Sequence, residues 1–461
     1  MKRHIYTLLA ATCIMLLLGC NKEDEWLDVK YNKGDVVPKA LKDFQALLDN
    51  EPIMNQSHIP LGLFSTDNFY YTPTNLQTIG VVERNAFLWE KEIFPTDISG
   101  DWQLTYTKVF YTNVVLEGLA KLTPGPTDQG QYNRLKGGAL FFRAFQFYTL
   151  VQTFARPYTA SAATDPGIPL RLTTDVHEVS VRGTVAGTYE RIIQDLKEAE
   201  GLLPVMDEFK TRASKTAAQA LLARVYLSMG NYPQALDYAN RALGGYNTLM
   251  NYADRNPAAL LPFPNFLTVQ PENIFNCYNT NYSAIRPINI AFVDTLFYDS
   301  YHADDLRKVL YYRADPPPSK KVVFKGSYSG AVSLFAGLAS NELYYIKAEC
   351  LARDGKAAEA IDVLNTLLPK RWKVNSFVPL VATTAEAALA TVLEHRRKEF
   401  PFTAVLRWDD LRRLNQTPTT AITLYRNVNG TLLSLPPNDN RYVFPIPKQE
   451  QNIYGLSDNP R

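Results

Sequence analysis

Between residues 215 and 243, small and apolar residues recur every three to four positions in two runs divided by Gly230-Asn231. Ala220, Ala223 and Leu227 share one face of the first run, with Tyr226 beside it; Ala235, Tyr238, Ala239 and Ala242 share one face of the second. That spacing predicts two amphipathic helices. Gly230 predicts the stop between them, because glycine tolerates the left-handed conformation of a tight C-cap. Small residues at Ala223 and Ala235 let the two helices approach closely. The stretch 342–368 copies the pattern, with Ala348, Gly355, Ala360 and Leu368 standing where Ala223, Gly230, Ala235 and Leu243 stood. One such hairpin cannot bury its own apolar face, so at least three are expected.

Helical periodicity also predicts elements over 39–50, 101–122, 131–154, 189–203, 384–400 and 408–414. The expected fold class is mostly α. It consists of about four helical hairpins resembling tetratricopeptide repeats, near 101–155, 189–243, 342–368 and 384–414. Trp102, Tyr106, Tyr226, Tyr238 and Trp408 fall at helical spacing and are expected in the core. Two stretches break the pattern. Residues 51–100 scatter proline, asparagine and threonine among aromatics. Residues 244–338 carry Pro257, Pro262, Pro264, Pro271 and Pro287 with short β-like runs such as 321–324. Loops this long inside a compact domain are usually functional or have structure of their own. The expected organisation is a single domain over 39–461, with a loop-rich insert at 244–338 and an irregular, ligand-binding half.

The N-terminus is read apart from the fold. Lys2, Arg3 and His4 precede an apolar run at 5–18, too short to span a bilayer comfortably, which ends in Leu17-Leu18-Gly19-Cys20. This resembles a bacterial lipobox. It implies a signal peptide over 1–19, lipidation at Cys20 and a tether over 20–38. Acyl chains would then hold the protein to a membrane at about 0.8 kcal/mol per buried methylene. The acidic run at 21–25 resembles a surface-export signal of some glycan-degrading Gram-negative bacteria. Removing Lys2 and Arg3 from 48 basic residues leaves 46 against 46 acidic ones, so the mature chain is neutral. Nothing in that balance points to nucleic acid. Cys277 and Cys350 remain, enough for one disulfide, while Cys350 on a repeat helix reads as a small core residue.

Catalytic patterns are missing from the sequence. The five histidines (His4, His58, His177, His302, His395) show no metal-ligand spacing. There is no nucleophile elbow, Walker loop or dinucleotide fingerprint. Adjacent carboxylates at Asp409 and Asp410 point about 100° apart on a helix and do not face one substrate; they read as partners of Arg407, Arg412 or Arg413. Asp304 and Asp305 read as a helix N-terminus. The expectation is a non-enzyme with no cofactor and no metal.

Six segments, in order, resemble the SusD/RagB family of outer-membrane nutrient-binding lipoproteins. They are FFRAFQFYTLVQTFARP at 141–157, YERIIQDLKEAEGLLP at 189–204, ALLARVYLSMGN at 220–231, ELYYIKAE at 342–349, RRKEF at 396–400 with RWDDLRR at 407–413, and FPIPKQE at 444–450 with Asn459-Pro460. The chain departs from the family pattern at Ala404-Val405 and Ser340-Asn341. The resemblance implies helical repeats decorated by an irregular binding half. It also implies an outer-membrane, lipid-anchored protein facing the cell exterior, with a SusC-like TonB-dependent barrel as partner and a polysaccharide or oligosaccharide as ligand. Some members are thought to handle peptides. A peptide-binding lid and an envelope scaffold without a nutrient ligand are the competing readings.

A glycan site needs flat aromatics for pyranose faces and amide, carboxylate or guanidinium groups for the hydroxyl rim. The chain holds 27 tyrosines, and tyrosine suits a wet stacking surface. Loops rather than repeat helices are the expected location. The candidates are Asp67, Asn68, Tyr70 and Tyr71 in one short loop, Arg84 and Trp89 just after it, and Asn279, Tyr282, Tyr298 and Tyr301 in the insert, with Asn281 and Tyr328 nearby.

Overall fold

A computed structural model describes residues 38–57, 61–265, 270–279, 290–316, 319, 321–325, 328–331 and 333–461. The expected leader, Cys20 and Tyr282 lie outside the described residues. The architecture is mostly α. The helices α1 (Leu41–Leu48) and α2 (Val81–Leu88), with shorter ones between them, precede a continuous row. The row comprises α3 (Gly100–Ala120), α4 (Gln129–Phe154), α5 (Val185–Leu202), α6 (Lys215–Ser228) and α7 (Tyr232–Gly245). It continues with α8 (Ser340–Arg353), α9 (Ala357–Leu367) and α10 (Ala385–Glu399), each helix packing on the next.

Local chemistry fixes the turns of this row. Gly230 closes α6 at φ +71° and Gly355 closes α8 at φ +80°, both in the left-handed region where a side chain is strained. Asn231 then caps α7, its side-chain oxygen accepting from the Gln234 amide. Tyr226 and Tyr238 stack across the hairpin with centroids 5.6 Å apart. With Trp102 and Trp408 they are buried. Tyr106 is half-buried, its hydroxyl donating to the Pro169 carbonyl.

The stretch 384–414 departs from the expected hairpin. α10 packs on α8 and α9, whereas α11 (Leu406–Leu414) packs on α6 and the short helix Leu61–Phe64. The turn between them passes through Ala404 at φ +47° and redirects the chain. α10 and α11 are joined instead by an ion pair, Arg396 Nε to Asp410 at 2.8 Å. Cys277 and Cys350 are separate buried thiols, so the disulfide left open by the sequence does not form. Among the described residues no helix is long and apolar enough to cross a membrane.

The irregular half holds several two-stranded ladders, three of them antiparallel and placed around the site. β1 (Phe69–Tyr71) pairs with β2 (Ala291–Val293), β3 (Tyr312–Ala314) with β4 (Val322–Phe324), and β5 (Leu424–Val428) with β6 (Thr431–Leu435). Buried ion pairs tie this half to the helices. Glu399 of α10 accepts from Arg371 at 2.8 Å, Arg307 at 3.0 Å and Asn341 at 2.9 Å. Arg371 also reaches Glu272 at 2.8 Å, and Arg307 reaches Asp305 at 2.7 Å.

Lys108, on α3, is fully buried, and its Nζ has no hydrogen-bond partner among the described residues. Burial pushes its pKa down to about 8. The charged form therefore costs stability at neutral pH, on the order of 3 kcal/mol for a shift of this size. Because the folded pKa lies below the unfolded one, that cost fades as pH rises from about 8 toward 10.5. Lys108→Met is expected to raise the urea midpoint at pH 7 and to flatten the rise in stability over that window; an unchanged midpoint refutes this.

Candidate ligand-binding cavity

Strand alternation sets the first wall. In β1, Phe69 and Tyr71 turn inward and are buried, so Tyr70 between them faces out, 37% exposed. The register places Tyr70 opposite Phe292 of β2, with ring centroids 5.8 Å apart. Asp294, directly after β2, accepts from the Phe297 amide at 2.8 Å and so starts the short helix Thr295–Asp299. That turn presents Phe297 and Leu296 to the same space. The opposite wall is the β5–β6 hairpin. Asn429 and Gly430 both have positive φ (52° and 83°), the conformation of a tight hairpin turn whose twist matches the strands. Tyr425 of β5 stands 62% exposed. The walls enclose a cavity of about 660 Å³, within the range of small-ligand sites.

Arginines make its floor. Asp67 takes two bonds from Arg407, Nε at 2.9 Å and Nη2 at 2.8 Å, and a third contact from Arg397 at 3.1 Å. Burial alone would raise the Asp67 pKa, but Arg407 and Arg397 overcome it and hold the carboxyl well below its usual range. Arg397 lies over the Phe297 ring at 4.5 Å. Arg426 is clamped between Phe87 at 3.8 Å and Trp89 at 4.2 Å, and donates to the Thr66 carbonyl. Burial pushes the Arg426 guanidinium down to about 9.

The structure gathers Asp67, Tyr70 and Tyr71 at this cavity and disperses the other candidates. Asn68 is buried behind it, donating to the Pro401 carbonyl. Trp89 is also buried. It ends α2 at φ +55°, its indole N–H donates to Ser65 O at 3.0 Å, and its face supports Arg426 rather than a ligand. Arg84 is half-buried on α2 and does not line the cavity. Asn279 is buried in a two-residue ladder with Gln56-Ser57. Tyr301 is 2% exposed, its hydroxyl donating to Lys398 O at 2.8 Å. Tyr298 packs edge-on to Tyr312 with Lys308 over its ring. Tyr328 is buried, donating to Glu272.

Sequence reasoning missed Phe297, Arg397, Tyr425, Arg426 and Asn427, all of which line the cavity. For the last three a signal existed, since Asn429-Gly430 between two apolar runs marks a hairpin. Asp410 bonds Arg396 and Arg413, as structural carboxylates do, and Asp409 is buried and pushed up to about 7 by that burial.

The family described as "Starch-binding associating with outer membrane" matches residues 25–227. SusD-like protein P2 of Formosa agariphila is 31% identical over 144 residues, covering 31% of this chain and 26% of that protein. The matched stretch thus spans about a quarter of that relative's length. A SusD superfamily protein from Bacteroides thetaiotaomicron has a similar fold, with TM-score 0.74 and 21% identity over 92% of this chain and all of the other. A laminarin-binding SusD-like protein gives TM-score 0.66 and 17% identity, over 91% of this chain and 98% of that one.

Burial separates the two kinds of aromatic here. Trp89→Ala removes a buried ring and is expected to cost about 3–5 kcal/mol. Tyr425→Ala at an exposed position is expected to cost less than about 0.5 kcal/mol. Urea unfolding of the two variants checks this, and equal losses contradict it.

Proposed function

We propose that this chain, whose residues 25–227 match the SusD-like family, is a glycan-capture lipoprotein of the outer-membrane surface. It takes up a polysaccharide or oligosaccharide between Tyr70, Phe297 and Tyr425, and passes it to a SusC-like TonB-dependent barrel. Lipidation at Cys20 anchors it. The observation that carries this reading is the pairing of exposed rings with fixed polar groups. Tyr70 and Tyr425 offer faces for pyranose C–H groups, while Arg397 and Asn427 stand at hydrogen-bonding positions around the same space. The β1–β2 and β5–β6 ladders hold both walls, so little ordering entropy is lost on binding. The laminarin-binding relative supports the substrate class.

The competing peptide reading differs in what it predicts from calorimetry. The full-length protein in detergent is titrated with neutral, acidic and host-type glycans and with a peptide digest. Saturable heat from a glycan class is the expected result. The Tyr70→Ala/Tyr425→Ala double variant should weaken that binding by about tenfold or more with an unchanged melting temperature. Heat from the peptides alone, or unaltered glycan affinity in the double variant, contradicts the assignment.

A further inference from the structure

The cavity floor holds a guanidinium that no carboxylate among the described residues pairs with. Three acidic side chains line the space: Asp67, Asp294 and Glu394. Asp67 is divided between Arg397 and Arg407. Glu394 pairs with Lys398 four residues on. Asp294 has one carboxylate oxygen engaged in capping the turn at Phe297. Arg426 pairs with no carboxylate among the described residues; its Nη2 donates to backbone carbonyls and its Nη1 has no hydrogen-bond partner. Arg397 spends Nη2 on Asp67, and its Nε is likewise without a partner. Arg397, Lys398 and Arg426 thus line the space together with three carboxylates, and of these cations Arg426 alone has no carboxylate partner among the described residues.

Both guanidiniums are costly in this state. Arg426 is 8% exposed and pressed between two aromatic faces. Desolvation penalises its charge, and burial lowers Arg397 as well, against the pull of Asp67. A buried cation with free N–H groups is stabilised by an oxyanion, and the planar arginine fork matches a two-oxygen acceptor better than a hydroxyl does. A neutral sugar offers only hydroxyls to this floor. An anionic sugar offers an oxyanion and still presents C–H faces to Tyr70 and Tyr425.

We infer that the ligand is an anionic glycan whose oxyanion substituent is received at Arg397 and Arg426 on the cavity floor. This rests on the glycan-capture reading above and narrows it. The charged substituent enters between the aromatic walls, and its ring stacks above. The aromatics then supply affinity for any pyranose, and the arginines supply the choice among pyranoses.

The test is calorimetry on the full-length protein in detergent with matched probes. Oligogalacturonate and oligomannuronate are compared with their methyl esters, with a sulfated κ-carrageenan oligosaccharide and with neutral laminarihexaose. The expected result is that one acidic series binds about tenfold or more tighter than its ester or the neutral glycan, and that its affinity falls as salt rises. Preference for the carboxylates or for the sulfate identifies which oxyanion the floor receives. Arg397→Gln should abolish the preference while leaving residual stacking affinity. Arg426→Lys, which keeps the charge but loses the fork, should weaken it. If the ester or laminarihexaose binds as tightly as the acids, the inference falls while glycan capture stands. If no glycan binds, both fall.

Discussion

Glu399 holds the two halves of the molecule together. Its carboxylate is fully buried and accepts from Arg371, Arg307 and Asn341 at once. Arg371 and Arg307 carry the connection onward to Glu272 and Asp305 in the insert. Burial would raise the pKa of Glu399, but the two arginines reverse that and hold it down. Glu272, with Arg371 and the Tyr328 hydroxyl beside it, is raised by its burial. Such clusters are poor sources of net stability, because desolving each ion costs several kcal/mol. They are demanding about geometry, because leaving one partner unpaired costs about 3–5 kcal/mol. An insert with few helices of its own is thereby fixed in one position against the helical row.

A second cluster works the same way among the helices. Arg224 of α6 binds Glu342 of α8, Arg396 of α10 binds Asp410 of α11, and Arg413 binds Glu349. These residues belong to the segments that carry the family resemblance, and the same segments supply Arg397 and Arg407 to the cavity floor. The cavity floor is a third version, with Asp67 between Arg397 and Arg407. It differs in one respect: Arg397 lines a cavity, with Arg426 beside it.

Much of the helical row was legible because its signal is local. A 3.6-residue period and a glycine at each turn suffice to place α6, α7, α8 and α9. The candidate site was only partly legible. Of the 65–71 loop, Asp67, Tyr70 and Tyr71 line the cavity. Composition could not tell that Asp67 is spent on Arg407, a partner 340 positions away. Trp89 is aimed inward by a left-handed backbone at its own position, which no periodicity reveals. Tyr301 and Asn279 look like rim residues in a polar loop, but long-range hydrogen bonds and ladder pairing bury them. The second wall was overlooked although the Asn429-Gly430 turn announces it.

The most direct test of this account is amide hydrogen exchange on Glu399→Ala. Removing the carboxylate leaves Arg371 and Arg307 without their shared acceptor. The account predicts that amides at 273–275 and 307–312 exchange about tenfold or more faster, while those of α6 and α7 keep their wild-type protection. Unchanged exchange in the insert, or equal loss of protection in α6 and α7, would contradict the claim that this buried carboxylate fixes the irregular half onto the helices.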